Sequence, residues 1–83
     1  MNPLKTWREN RSMSRTELAL LAGVAYSQVM AAESGHAVRL PGRITRAVAY
    51  LDGKQAAQDL ASAFALWRDE QAAQLVASLR ATN

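Results

Sequence analysis

Apolar positions recur at three- and four-residue intervals along most of the chain, the spacing that gathers them on one face of an α-helix. Leu4 and Trp7 share such a face behind Asn2-Pro3, where Asn2 can cap and proline suits the first helical position. This predicts a first helix running to about Arg11, broken at Ser12-Met13-Ser14. Ser14-Arg15-Thr16-Glu17 then reads as a capping box, with the Ser14 hydroxyl and the Glu17 carboxylate satisfying each other's backbone donors. Leu18, Leu21 and Ala22 follow at helical spacing, and Gly23 is placed to end this short second helix in a left-handed cap. A third helix is predicted from Ala25 or Tyr26 to Ser34, closed by Gly35. Val29 and Ala32 point inward there, while Tyr26, Ser27, Gln28 and Ala31 face elsewhere.

Residues His36 to Leu40 read as a loop, and Pro41 opens a fourth helix with Ile44, Ala47, Val48 and Leu51 on one face, ended by Asp52-Gly53. From Lys54 to about Arg80 there is neither glycine nor proline. The segment fits one helix of roughly 40 Å, or two broken near Arg68-Asp69. Leu60, Phe64, Trp67, Leu75, Val76 and Leu79 form an apolar stripe on it, with Leu66 and Ala73 off the stripe. The stripe is larger than a four-helix core can cover, which marks a subunit interface. Homodimerisation through antiparallel or crossed helices is therefore expected of residues 55–80; the competing expectation folds the segment back as extra core. The predicted fold class is all-α, with a compact domain over residues 1–53 and a helical dimerisation segment over 54–83.

Composition narrows the function. Eighty-three residues make one small domain, and the absence of cysteine excludes disulfides and thiolate metal sites. One histidine, His36, cannot build a metal site. No apolar run is long enough for a bilayer and no signal-peptide pattern opens the chain, so a cytoplasmic protein is expected. Charge is uneven. Residues 1–54 hold eight cationic side chains against four acidic ones, whereas residues 55–83 hold two against three. A basic N-terminal part fits a polyanion, and fits equally well a surface that simply happens to be basic. Ser14, Glu17 and His36 make no nucleophile–base–acid set, so neither catalysis nor a cofactor is expected. Trp7 and Trp67 fall at helical spacing with leucine, which favours core over base stacking.

Two helices joined by a tight glycine turn, the second short and polar outside, make a helix-turn-helix. On Arg8, Ser14, Glu17-Leu18-Ala19, Gly23-Val24, Val29, Glu33-Ser34-Gly35 and Pro41, residues 3–53 resemble the phage repressor/Cro-like (XRE-type) helix-turn-helix family. The resemblance implies a bundle of four or five helices whose third helix lies in the DNA major groove. By position it implies base contacts from Tyr26, Ser27, Gln28 and Ala31, with Gln28 suited to bidentate reading of adenine. It assigns phosphate contacts to Arg15, Arg39 and Arg43, and a partly buried ion pair to Arg8 and Glu33. The sequence departs from the pattern at Ala25, where a capping residue is usual, at Ala31, which offers no hydrogen bond, and in a longer loop after Gly35. The function expected is that of a DNA-binding transcriptional regulator, a dimeric repressor of a phage or plasmid element. Two alternatives stand beside it. One is an antitoxin whose C-terminal helices bind a toxin or other antagonist protein; the other is a protein-interaction adaptor on the same fold.

Overall fold

The computed structural model describes residues 1–81; Thr82 and Asn83, the end of the expected 54–83 segment, lie outside the described residues. Five helices follow in order: α1 (Pro3–Asn10), α2 (Arg15–Ala22), α3 (Tyr26–Ser34), α4 (Gly42–Asp52) and α5 (Lys54–Ala81). The described residues contain no strand. No helix among them is long and apolar enough to cross a membrane.

Local chemistry sets the boundaries. Asn2 accepts from the Lys5 amide at 3.0 Å and so caps α1. Ser14 and Glu17 form the reciprocal box at the start of α2, Glu17 N–H to Ser14 Oγ at 3.0 Å and Ser14 N–H to Glu17 Oε1 at 2.9 Å. The Ser14 backbone N–H first and the Ser14 hydroxyl second hold the Glu17 carboxyl below its ordinary pKa. Gly23 (φ 68°) and Gly35 (φ 86°) end α2 and α3 in the left-handed region, where a Cβ is strained. At α3 the departure at Ala25 has a visible consequence: no side chain caps the helix, and half a box remains, with Ala25 N–H donating to Gln28 Oε1 at 3.2 Å.

Leu4, Leu18, Val29, Ile44, Val48 and Phe64 are fully buried and make one core from all five helices. Ala19 sits in this core at 6% exposure, in keeping with a small residue where α2 meets α3. Lys54–Ala81 is a single helix, about 42 Å long at 1.5 Å per residue. Its first half does not behave as the sequence suggests. Leu60 and Phe64, expected in a dimer interface, are 8% and 1% exposed inside the chain's own core, together with Ala57. Trp67 packs half-buried against that core, its ring 5.6 Å from that of Phe64. The core thus runs across the expected division at residues 53 and 54, because the short helices α1 and α4 leave an apolar face that only α5 covers. From Asp69 onward every described residue of α5 is exposed. Leu75, Val76 and Leu79, from the same expected set, remain on the surface at 62%, 47% and 59%.

Candidate nucleic-acid interface

The first turn of α3 presents Tyr26, Ser27 and Gln28 to solvent, with Met30 exposed one turn on and Ala31 half-buried. The opposite side of α3 is fixed by Val29 and Ala32, both fully buried. A nine-residue helix in water is marginal alone, so its direction is set by what grips it from behind.

The grip is an ionic and hydrogen-bonded cluster at the C-terminal end of α3. Glu33 keeps only 3% of its side chain exposed. It receives Arg8 Nε at 2.7 Å and Arg8 Nη2 at 3.0 Å, a bidentate pair. Arg8 also donates through Nη1 to the Met13 carbonyl at 2.8 Å, which ties the α1–α2 turn to the same point. Arg15 donates Nε to Glu33 Oε1 at 3.0 Å. Burial is the largest single influence on the Glu33 carboxyl and pushes its pKa up; hydrogen bonds and charge from Arg8 and Arg15 outweigh it and hold the group below the ordinary carboxylate value. Both guanidinium groups are correspondingly raised, first by their bonds to Glu33.

The ion pair of Arg8 with Glu33 was assigned by resemblance; the second arginine on the same carboxylate was not. Arg15 was expected only as a phosphate ligand, and its Nε is engaged with Glu33, while about a third of its side chain stays exposed. It borders a shallow depression of about 430 Å³ with Lys5, Ser14, Thr16 and Tyr26, at the amide end of α2. Arg8 and Glu9 line it too, so three cations and one acid meet at a helix end where the Ser14 hydroxyl already takes the Glu17 amide. Arg39 is exposed in the loop before α4. Arg43 donates Nη1 to the Gly23 carbonyl at 2.9 Å, so it bridges α4 to the turn between α2 and α3. Arg46, absent from the expected set, lines a second depression with Arg43 and Tyr50 between α2 and α4.

Three further contacts hold α3 or the ends of α1 and had no sequence signal beyond residue type. Asn2 Nδ2 donates to the carbonyls of Ala32 (2.9 Å) and Glu33 (3.1 Å), so the residue that caps α1 also ties down the last turn of α3. Arg68 Nη1 reaches the Gly35 carbonyl at 2.6 Å from α5, beside Trp67. Trp7 donates Nε1 to Asp52 at 2.8 Å, and Arg11 pairs with the same carboxylate while lying 5.7 Å over the indole. Trp7 is thereby a helix-packing residue, as its spacing suggested. His36 Nδ1 lies 2.7 Å from Ser34 Oγ on the surface. Among the described residues no group of histidine, cysteine and acidic side chains could hold a metal ion. No protein-family model matches this chain, and no match was found among curated proteins or among solved structures.

Proposed function

We propose that this protein is a sequence-specific DNA-binding regulator that inserts α3 into the major groove and works as a homodimer. The observation that carries the reading is the two-sided build of α3: Val29 and Ala32 are buried behind it, Glu33 is clamped by two arginines, and Tyr26, Ser27 and Gln28 stand in solvent on the first turn. The major groove admits one α-helix, and its base edges distinguish all four base pairs by donor and acceptor pattern. Ser27 can donate to a base or a phosphate, and Tyr26 offers a ring face for a thymine methyl. Gln28 reads adenine with both amide atoms only after releasing the Ala25 amide, so its discrimination is paid for by the half-box at the start of α3. Lys5, Arg15, Arg39, Arg43 and Arg46 are the cations available to phosphates on either side. No cofactor enters this mechanism; occupancy of an operator excludes polymerase.

Selection from a random pool of duplex DNA tests the proposal. An enriched inverted repeat with half-site centres about ten base pairs apart, or a multiple of that, is expected. Gln28→Ala should cost about 1–3 kcal/mol of discrimination at one base position, whereas Arg39→Ala should weaken all sequences alike and lower the salt slope by about one. An unenriched pool at moderate salt overturns the reading. The exposed leucines at the end of α5 favour a second reading, an antitoxin whose C-terminal helix binds a toxin. It predicts a monomer in solution that acquires a stable partner only when that protein is present.

A further inference from the structure

The dimeric reading above leaves open where the second copy sits, and α5 carries an answer. Ala61, Ala65, Arg68, Ala72, Leu75 and Leu79 are spaced four, three, four, three and four residues apart, a heptad seam. Ala65, Ala72, Leu75 and Leu79 on it are exposed, and Ala61 is half-buried. The small residues lie toward the N-terminal end and the leucines toward the C-terminal end. Laid antiparallel against itself about position 70, the seam sets Ala61 opposite Leu79, Ala65 opposite Leu75 and Arg68 opposite Ala72. Each large side chain meets a small one, which is the condition for close packing without voids or overlap. Arg68, the one polar member, already has the Gly35 carbonyl of its own chain as acceptor. A parallel pairing would put leucine against leucine at one end and alanine against alanine at the other.

We infer that two copies associate through this seam, antiparallel, with the twofold axis passing beside position 70. The same helix has a separate face for its own domain, made by Ala57, Leu60, Phe64 and Trp67. At about 100° per residue the two faces lie about 80° apart around α5. In an antiparallel pair that angle places both domains on one side of the helix pair, where a single duplex can meet them together. The docked stretch of α5, Ala57 to Trp67, centres on residue 62, eight residues from the axis, so the two docked stretches stand about 24 Å apart along the helices.

Cysteine cross-linking of the full chain, which has no cysteine of its own, decides the register. The double variant Ala65→Cys/Leu75→Cys should oxidise to a covalent dimer. Within one chain the two positions are about 15 Å apart along the helix, beyond the roughly 7 Å Cα separation a disulfide tolerates. Neither single variant should cross-link, because each position lies about 15 Å from its own symmetry mate. Ala65→Leu should weaken association at least tenfold by sedimentation equilibrium, and adding Leu75→Ala should restore it. Cross-linking by Leu75→Cys alone, no cross-link in the double variant, or no restoration by the swap overturns the proposal. All of this is read without DNA, so a failure here is distinct from failure of operator selection.

Discussion

The two halves of α5 are the same kind of sequence with different fates. Lys54 to Arg68 and Asp69 to Ala81 are both rich in alanine and leucine, lack glycine and proline, and continue one helix. The first half gives Ala57, Leu60 and Phe64 to the core and reaches Gly35 through Arg68; the second half exposes every described residue. Helical periodicity records an apolar face without saying what covers it. The two α5 stripes point in different directions, and the chain has only one core to offer.

The comparison can be broken most forcefully at Phe64. Phe64→Ala should cost about 3–5 kcal/mol in chemical denaturation, while Leu79→Ala, measured at dilutions where the chain is monomeric, should stay within about 0.5 kcal/mol. Comparable losses at both positions would mean the distal half is also part of the monomer's core. The clamp that orients α3 comes next. Arg8→Ala leaves Glu33 buried with one less partner and should cost about 3–5 kcal/mol; equal stability with weaker DNA binding would remove Arg8 from the framework.

Acid should act through the same carboxylate. Glu33 has a folded-state pKa below its unfolded value, so its contribution is complete above the ordinary carboxylate value near 4.5 and is lost as pH falls through the lower folded value. Urea midpoints should therefore drop below about pH 4.5, and Glu33→Gln should flatten that part of the profile while lowering stability at neutral pH. A smaller effect is expected at α3, where Ala25→Asp supplies the missing cap: about 1 kcal/mol of stabilisation by thermal melting. The same change completes the box and leaves the bond from the backbone N–H of residue 25 to Gln28 in place. The smallest energies belong to the distal helix itself, where amide hydrogens of residues 70–80 should exchange faster than those of 57–67 at low concentration and slow as concentration rises. Concentration-independent exchange would argue against a second copy on that face.

Much of the fold was legible in the chain because its signals are local. The Ser14–Glu17 box, the left-handed glycines 23 and 35 and the run Ile44, Ala47, Val48 are each decided within one or two turns. The candidate reading face was legible for the same reason, since Val29 and Ala32 fix which way Tyr26, Ser27 and Gln28 must point. Three things were not. Arg15 on Glu33 is a contact across 18 residues, and Asn2 on Ala32 one across 30. Residue type does not reveal such contacts, because Asn2 before Pro3 already has a sufficient local explanation as a cap. The placement of Leu60 and Phe64 was also hidden, since a core residue and an interface residue have the same spacing on a helix.

Sequence alone determined that this protein is helical, where most of its helices begin and end, and which side of each is apolar, because capping, left-handed glycines and the 3.6-residue period are properties of neighbours along the chain. Only the tertiary structure decided that residues 54–81 are one helix, that its first half completes the core and that Glu33 holds two arginines. Those outcomes depend on how much apolar surface the other four helices leave uncovered and on which charged groups burial brings together, quantities that exist only once the chain has packed.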